Sequence, residues 1–359
     1  DSWVHAHDPD AATAKALDLV RMAVAKAFLA GPLRETDLPV NPSALVVGGG
    51  VAGLTAALSV ARQGYPVHLV EKSEALGGNA RSLNKTYKGE DISGFIADLI
   101  RQVETEPHIT VHMGTTVSGV AGFVGNFETI LSNGGLQETV NHGVAILATG
   151  AKEDKPQEYL YGEHAAVITQ LELDELFRHN DLRINRAGDV VFIQCVGSRN
   201  EAHPYCSKVC CTHSIKNALE LKKRNPETNV YILYRDIRTY GKREDLYQEA
   251  RSRGVLFFRY DPDEKPAVTA EGNRVAVRFK DPILGRRLSV NADILCLAAA
   301  IVSHEDLSLS RFFKIPVDSD GWLLEAHQKL RPVEFATEGV FLCGMGHYPK
   351  PIEESIAQA

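Results

Sequence analysis

The segment from Ala44 to Gly78 constrains the fold of this chain more than any other. It reads ALVVGGGVAGLTAALSVARQGYPVHLVEKSEALGG. The apolar residues Ala44–Val47 predict a buried strand, Ala52–Gln63 predicts a helix, and Val67–Val70 predicts a second strand. A G-x-G-x-x-G sequence lies between the first strand and the helix. In this strand–loop–helix–strand context the sequence predicts a dinucleotide-binding fold.

Each conspicuous residue of the motif has a physical task. Gly48 allows a tight turn, Gly50 lets the backbone approach a pyrophosphate, and Gly53 lets the helix pack closely on the strand. The helix N-terminus then offers N–H groups and a positive dipole to the phosphates. Glu71 follows the second strand, where a carboxylate binds the hydroxyl groups of a ribose.

Three further glycine-containing segments indicate which nucleotide binds. Leu76–Gly78, Val144–Gly150 and Thr337–Gly344 resemble the repeated signatures of flavoproteins with two dinucleotide-binding domains, the thioredoxin reductase and glutathione reductase group. The resemblance implies FAD. In that group an Asp after the last glycine holds the ribityl chain, whereas this chain has Met345, so the contact must be made differently or be missing.

Composition sets the broad class. The 359 residues are long enough for two domains, and their apolar and charged fractions of 44% and 24% are those of an ordinary globular protein. A net charge of −7 argues against a nucleic-acid or anionic-membrane partner. We expect no transmembrane segment, because no apolar run is long enough, and charged residues interrupt any secretory signal near the N-terminus. A cytoplasmic protein is the expectation.

The N-terminal residues predict an arm. Ala11–Ala30 has apolar residues at helical spacing, and Gly31-Pro32 ends the run. This amphipathic helix, together with Trp3, would dock on the main body or on a partner, and packing within the molecule is the favoured interpretation.

The next part of the chain completes the first unit. Ile92–Glu104 predicts a helix, and Thr110–His112 and Val117 predict short strands. Phe123–Leu131 and Thr139–Val140 predict a hairpin with Asn133-Gly134-Gly135 as its turn. Gly143–Thr149 then predicts a buried strand that returns to the first sheet.

A second strand–loop–helix–strand unit begins near Gly188. It comprises a strand at Asp189–Gln194, a helix from about Cys206 to Arg224 and a strand at Val230–Tyr234. Gly197 is the only glycine of its loop, so a nicotinamide site is not expected there. The remaining predicted elements are a helix at Glu244–Arg253, strands at Val255–Arg259 and Ile294–Ala300, and a hairpin of Val275–Phe279 with Leu288–Val290.

These elements predict an α/β fold. It has two Rossmann-like domains in a thioredoxin reductase-like arrangement, with an N-terminal helical arm. The expected division is an arm at residues 1–40, an FAD domain at 41–150 that resumes at 309–359, and a second Rossmann-like domain at 151–308.

Four of the six cysteines lie close together, as Cys195-x10-Cys206-x3-Cys210-Cys211. Four thiolates are the usual ligands of a [4Fe–4S] cluster. If the helix begins near Cys206, then Cys206 and Cys210 share one helix face. Cys211 would point about 100° away from Cys210, so a frayed or bent helix start is required. The helix N-terminus with Arg199 and Lys208 would favour thiolates.

Other interpretations of these cysteines remain open. Zinc also accepts four thiolates, although paired C-x2-C segments are its usual pattern. A redox-active disulfide could join Cys206 to Cys210, or Cys195 to one of them. Buried structural cysteine is the least expected, given how closely the four are spaced. Cys296 and Cys343 lie in apolar strands and are predicted to be core residues.

The whole chain from Trp3 to Ala359 resembles the A subunit of heterodisulfide reductases. The resemblance is carried by SWVH with DLVRMAVAKA, GGGVAGLTAAL, LGGNARS, GFVGNFE, CVGSRNEAHPYCSKVCC, VYILYRDIRTYGKREDLYQEAR and PKPIEESIAQA. It implies FAD, a [4Fe–4S] cluster on Cys195, Cys206, Cys210 and Cys211, partner subunits of a heterodisulfide reductase-like complex, and a homodimer.

One departure from that family concerns ferredoxin-like clusters. The methanogen members carry two of them in an insertion after the GFVGN segment. Here Asn133-Gly134-Gly135 bridges that point, so the chain resembles the short form of sulfur-oxidising and sulfate-reducing complexes. Flavin-based electron bifurcation with ferredoxin is correspondingly less expected.

The predicted cofactor site combines the motif with the resemblance. The segment from His347 to Ile352 would start a terminal helix beside the isoalloxazine ring, with Lys350 adding positive charge. The candidate FAD residues are Gly48, Gly50, Val51, Ala52, Gly53, Glu71, Lys72, Gly77, Gly78, Asn79, Val117, Thr149, Gly150, Gly344, Met345, Lys350 and Ile352. No catalytic residue is predicted.

The leading functional hypothesis is an oxidoreductase subunit that exchanges electrons between FAD and the cluster in sulfur or disulfide metabolism. One alternative is a self-contained NAD(P)H-dependent disulfide reductase with an exchanging cysteine pair. Another is an assembly subunit whose flavin is structural.

Overall fold

The computed structural model describes residues 5–33 and 37–359. Trp3, which was expected to take part in docking, lies outside the described residues. In chain order the helices are α1 Pro9–Leu29, α2 Val51–Ala61, α3 Ile92–Thr105, α4 Gln170–Arg178, α5 Leu182–Arg186, α6 Cys210–Arg224, α7 Glu244–Ser252, α8 Ser308–Phe313 and α9 Ile352–Gln358.

The strands fall into two runs along the chain. The first run is β1 Ala44–Val47, β2 Val67–Val70, β3 Ile109–His112, β4 Thr116–Phe123, β5 Asn126–Asn133, β6 Leu136–His142, β7 Val144–Leu147, β8 Lys152–Glu153 and β9 Val167–Thr169. The second is β10 Asp189–Val196, β11 Asn229–Tyr234, β12 Leu256–Arg259, β13 Ala267–Glu271, β14 Arg274–Asp281, β15 Arg286–Ala292, β16 Ile294–Ala299, β17 Ile301–Val302 and β18 Val340–Leu342.

The N-terminal residues up to Pro39 form a compact unit of their own. Its helix α1 begins with Pro9 in the first turn, and the Asp8 side chain accepts a hydrogen bond from the Ala11 N–H at 3.1 Å. This capping is typical of a helix start, and the predicted helix is confirmed with two more residues at its beginning. What its apolar face packs against stays a prediction.

Residues 40–359 form the second compact unit, and a parallel five-stranded sheet in the order β18-β7-β1-β2-β3 is its first layer. All four residues of β1 are buried, as expected of a central strand covered on both faces. Leu54 of α2 and Ile96 of α3 share one core with the apolar residues of β2. The strands β1 and β2 have the predicted bounds, and α2 differs from its prediction by one residue at the start and two at the end.

A three-stranded antiparallel meander, β4-β5-β6, follows the third strand of this sheet. Gly134 and Gly135 form the turn between β5 and β6, as predicted, and both have positive φ. The prediction of one strand over Phe123–Leu131 is wrong at its start. The chain turns at Val124-Gly125, and Gly125 has φ +84°, a conformation that a glycine adopts without strain.

A second parallel sheet has the order β12-β11-β10-β16-β9. Its central strand β10 pairs with β11 and β16, and the helices α4 and α6 contribute Phe177 and Ile215 to the same buried core. A separate antiparallel sheet, β13-β14-β15, contains the predicted hairpin. The sequence analysis missed β13 because most of its side chains are exposed and lack a buried alternation.

The chain then returns to the first sheet. β18 pairs with β7, and Ile352 and Ile356 of α9 pack against the core that contains α2. Two short strands, β8 and β17, pair antiparallel where the chain leaves the first sheet and where it comes back. The finer division at residues 41–150, 151–308 and 309–359 stays a prediction, as does the arm boundary at residue 40.

The two parallel sheets with helices confirm the α/β prediction with two Rossmann-like units. None of the helices in the described ranges 5–33 and 37–359 combines the length and the apolar character needed to cross a bilayer.

Candidate functional site

The glycine loop connects β1 to α2 and has the geometry that its motif predicts. Gly48 has φ +113°, and a Cβ placed on Gly53 would lie 1.8 Å from the Gly48 carbonyl oxygen. A Cβ on Gly50 would meet nothing within 4 Å. Gly50 precedes α2, whose N-terminus has no side-chain cap. The N–H groups of the first turn therefore remain available to an anionic ligand.

Glu71 holds this loop from the end of β2. Its Oε2 accepts a hydrogen bond from the Gly49 N–H at 2.7 Å, and its Oε1 accepts from the N–H and the hydroxyl of Ser73, both at 2.8 Å. The side chain is 8% exposed. Each carboxylate oxygen can accept more than one hydrogen bond, so a ribose can still be bound. The sequence did not show that Glu71 also fixes the loop.

A cavity of about 410 Å³ opens beside the loop. Most of the predicted FAD residues line it, namely Gly48, Gly50, Val51, Ala52, Glu71, Lys72, Gly77, Gly78, Asn79, Thr149, Gly150, Gly344, Met345, Lys350 and Ile352. Gly53 does not line it, because it is buried in the contact between α2 and β1.

Val117 lies in a smaller neighbouring cavity of about 160 Å³. Gly48, Glu71 and Lys72 line both cavities, so the two meet at the end of the glycine loop. The sequence analysis missed His304 of the smaller cavity, whose Nε2 lies 3.1 Å from the Thr149 carbonyl oxygen. No motif marks this residue, which comes from a loop far along the chain.

The four clustered cysteines come from the end of β10, the following loop and the start of α6. The pairing of β10 with β16 shifts between Ile193 and Val196, and Cys195 inside this irregularity has φ +61°. Such bulges redirect a side chain. Helix α6 begins at Cys210, not near Cys206 as predicted. The reason is local: Lys208 has φ +60°, and its N–H donates to Cys206 Sγ at 3.3 Å.

The thiols lie close enough to influence one another. Burial raises the pKa of Cys211 to about 12 and that of Cys210 well above its usual value, and the neighbouring thiols add to both effects. Burial also raises the pKa of Cys195, although the Arg199 guanidinium 3.9 Å from its Sγ opposes this. All six cysteines of the chain are free thiols, and Cys296 and Cys343 are buried, as predicted for core residues.

The geometry bears on the zinc interpretation. Within residues 5–33 and 37–359, no group of three or more His, Cys, Asp or Glu side chains could hold a metal ion. One zinc ion would draw all its sulfur ligands to about 2.3 Å from a single centre. A four-iron cluster offers one iron to each thiolate, so its ligands lie further apart. The arrangement disfavours zinc and leaves a cluster compatible with the donor set.

A buried ionic group forms another wall of the larger cavity. Asp174 of α4 is completely buried and lies 3.1 Å from His213 Nε2 and 2.9 Å from Lys216 Nζ, both on α6. Burial raises the pKa of Asp174, but these two cations more than offset it, so the pKa lies well below its usual range. His213 and Lys216 line the cavity. The sequence analysis missed the group because its carboxylate lies on a different helix.

Two further titratable groups line the cavity. Lys350 is 3% exposed, and burial lowers its pKa to about 8. Its ammonium donates to Gln358 and lies 3.5 Å from His347 Nδ1. Burial raises the pKa of Glu153 to about 7. Both groups therefore change charge close to neutral pH.

Comparison with known proteins agrees with this architecture. The family described as "NAD(P)-binding Rossmann-like domain" matches residues 46–115. The thioredoxin reductase of T. acidophilum superposes with a TM-score of 0.59 at 16% identity, covering 88% of this chain and 95% of that one. The Lactococcus lactis thioredoxin reductase gives 0.60 at 18%, covering 88% and 94%. These likenesses confirm the thioredoxin reductase-like fold.

Two relatives that match along the whole chain connect it to one family. The A-type component of the H(2):CoB-CoM heterodisulfide,ferredoxin reductase of Methanothermobacter thermautotrophicus is 32% identical over 457 positions, covering all of this chain and 68% of the relative. The second A-type iron-sulfur component of the CoB–CoM heterodisulfide reductase of Methanopyrus kandleri is 32% identical, covering 99% and 69%. The first alignment is longer than this chain of 359 residues, so that relative contains insertions. This chain belongs to the family of heterodisulfide reductase A subunits and is an oxidoreductase.

Proposed function

We propose that this chain is an electron-transfer subunit of a heterodisulfide reductase-like complex. It binds FAD and a [4Fe–4S] cluster and exchanges electrons between them in sulfur or disulfide metabolism. Membership of a reductase family and the thioredoxin reductase-like fold support the flavin. The relative from Methanopyrus kandleri, named an iron-sulfur subunit, supports the cluster.

The nucleotide part of the proposal uses the glycine loop and both cavities. The pyrophosphate binds at the N-terminus of α2, where Gly50 leaves open space and the N–H groups are uncapped. The adenosine ribose binds beside Glu71, and the smaller cavity with Val117 and His304 accepts the adenine. The flavin end occupies the larger cavity near Asn79, Met345 and Ile352, together with the other predicted FAD residues named above.

The cluster part of the proposal uses Cys195, Cys206, Cys210 and Cys211. All four are free thiols, and the bulge in β10 and the late start of α6 bring them from separate turns toward each other. Arg199 beside Cys195 and the Lys208 N–H at Cys206 supply donors that stabilise thiolates.

One observation carries the proposed function. The cavity lined by the glycine loop is also lined by Lys208, Val209 and Cys210 of the cysteine segment. The nucleotide site and the cysteines are therefore neighbours in space, although more than a hundred residues separate them in the sequence. When bound, FAD supplies two-electron chemistry and the cluster supplies one-electron chemistry.

The chain's own cations prepare the cavity for a ligand that gains negative charge. Lys216 is held by buried Asp174, and Lys350 is held by Gln358 and His347. In a largely buried cavity a fixed positive charge is worth more than in water. Because the pKa of Lys350 is lowered by burial, an anionic ligand nearby would restore its charge.

The deciding experiment is anaerobic purification of the full chain, followed by measurement of FAD, iron and acid-labile sulfide on one sample. We expect FAD with about four irons and four sulfides per chain. Cys206→Ser should lose most of the iron and keep FAD. Cys296→Ala is the matched control, since Cys296 lies in the core of the second sheet and should keep both cofactors. FAD bound without iron or sulfide would defeat the cluster proposal.

Partners are tested separately. We expect other subunits of the complex to co-purify with the chain, and we expect a homodimer by light scattering. Rapid reduction of the bound flavin by NADH or NADPH alone would instead support a self-contained disulfide reductase.

A further inference from the structure

Five side chains form a connected group at the edge of the larger cavity, here called the clasp: Lys208, Tyr240, Arg243, Glu353 and Glu354. Lys208 pairs with Glu354, and Arg243 pairs with Glu353. The Tyr240 hydroxyl donates to Glu354 Oε1 at 2.7 Å, and Arg243 lies 3.9 Å from the same carboxylate. Every member contacts another, so the clasp is one network.

Aromatic rings reinforce the clasp. The Arg243 guanidinium lies 4.4 Å from the centre of the Tyr240 ring and 4.9 Å from that of Tyr87. The Lys208 ammonium lies 5.3 Å from the ring centres of both Tyr240 and Tyr348. These distances are those of cation–π contacts, which stabilise partly desolvated cations.

The clasp joins two parts of the chain that approach the cavity from opposite sides. Lys208 lies between Cys206 and Cys210, and its own N–H donates to Cys206 Sγ. Glu353 and Glu354 belong to the first turn of α9, whose Ile352 lines the cavity and packs in the core of the first sheet. Through Lys208 the cysteine segment is therefore tied directly to the first sheet.

The clasp also lies at the border between cavity and solvent. Lys208, Tyr240, Arg243 and Glu353 line the cavity. The side chains of Lys208 and Glu354 are each 31% exposed, and that of Glu353 is 42% exposed. Ion pairs with this exposure are individually weak and are screened by salt.

We propose that the clasp is a releasable closure of the cavity. When its contacts are intact, it holds residues 206–209 and 236–243 against α9 and keeps the cysteine segment beside the nucleotide site. When its ion pairs break, these two segments move away from α9 and the cavity opens to solvent.

The opposite side of the cavity explains why opening is local. There Asp174, completely buried, accepts from the Asn84 N–H at 3.1 Å, and Lys85 pairs with Glu220 at 2.9 Å. Asp174 is also held by Lys216 and His213 of α6. These contacts are more buried than the clasp and stay closed, so the movement is a swing at the mouth and not a separation of the two sheets.

Hydrogen–deuterium exchange of the purified full chain tests this closure. Replacing both clasp carboxylates, Glu353→Gln with Glu354→Gln, should speed exchange at least threefold in peptides covering 206–216 and 236–243. Raising the salt concentration should have the same effect on the wild type. Peptides from the core strand β10 should not change. Glu158→Gln is the matched control, since Glu158 pairs with Lys265 at 3.1 Å with comparable exposure and lines neither cavity.

A second variant guards against local misfolding of α9. Lys208→Met keeps the aliphatic stem but removes the charge, and should increase exchange in 236–243 in the same direction. Unchanged exchange in both variants, or equal changes in the Glu158→Gln control, would overturn the closure. The proposal depends only on contacts within the chain. FAD and iron measured on the same samples therefore separate its failure from failure of the proposed function.

Discussion

Asp174 Oδ2 lies 2.9 Å from Lys216 Nζ, and the Asp174 side chain is completely buried. Its carboxylate also accepts from the Asn84 N–H and faces His213. One buried anion therefore connects α4, α6 and the segment after the glycine loop, and two of its partners line the cavity. This relationship links the stability of the fold to the shape of the candidate site.

Removing the charge of Asp174 should strongly destabilise the protein. Asp174→Asn leaves two buried cations without their anion, and breaking a buried pair in this way typically costs about 3–5 kcal/mol. Urea unfolding measures the loss. Asp98→Asn is the control, because Asp98 pairs with Arg101 on the exposed face of α3 and should change the unfolding free energy by less than about 1 kcal/mol. Equal effects of the two variants would contradict the role of Asp174.

The same pair predicts an acid-side dependence of stability. The pKa of Asp174 is lowered from its usual 3.8, so its contribution is fully present above pH 3.8 and is lost as the pH falls toward the folded-state pKa. We expect the unfolding free energy of Asp174→Asn to fall less steeply than that of the wild type below pH 4. Unfolding curves at pH 3 and pH 6 measure this difference, and parallel curves would contradict it.

Two glycine substitutions separate folding from nucleotide binding. Gly53→Ala places a Cβ 1.8 Å from a backbone oxygen, so the loop cannot keep its shape and both stability and FAD binding should fall. Gly50→Ala meets no protein atom within 4 Å, so it should fold with nearly wild-type stability but bind FAD at least tenfold more weakly. Thermal unfolding and flavin content measure the two effects. Normal FAD binding by Gly50→Ala would argue against a pyrophosphate at this position.

Glu71→Gln should weaken FAD binding through the loop as well as through the ribose. The amide group can accept at one atom only, so one of the donors at Gly49 or Ser73 would face an N–H group. An unsatisfied buried donor costs about 1–3 kcal/mol, which corresponds to roughly 5- to 150-fold in affinity. Titration of the apoprotein with FAD measures it. Glu74→Gln, at an exposed position of the same segment, should bind FAD normally.

Glu153 predicts a dependence on pH near neutrality. Its folded-state pKa is raised to about 7 from the usual 4.5, so the folded protein binds the extra proton and stability decreases as the pH rises from 4.5 through 7. Glu153→Gln removes this penalty and should stabilise the protein at pH 8 by up to about 3 kcal/mol, with little effect at pH 4.5. Urea unfolding at both pH values tests this expectation, and Glu158→Gln serves as an exposed control.

Local signals along the chain were enough to predict much of the fold. The four apolar residues of β1, the helix after the glycines and the four residues of β2 form a pattern that only a Rossmann-like unit satisfies. The turn at Gly134-Gly135 was predicted for the same reason, since two adjacent glycines with positive φ suit a hairpin. β13 was missed because an exposed edge strand has no alternation to reveal it.

The sequence by itself determined the nucleotide loop and the four clustered cysteines, because spacing and residue type within short segments specify them. Tertiary structure decided that α6 begins at Cys210, where the left-handed conformation of Lys208 delays the helix. It also placed Asp174 beneath Lys216, and Lys208 against Glu354. Those contacts join residues 42 and 146 positions apart, and no local pattern encodes them. They exist because two parallel sheets, each built on its own core, close around one cavity.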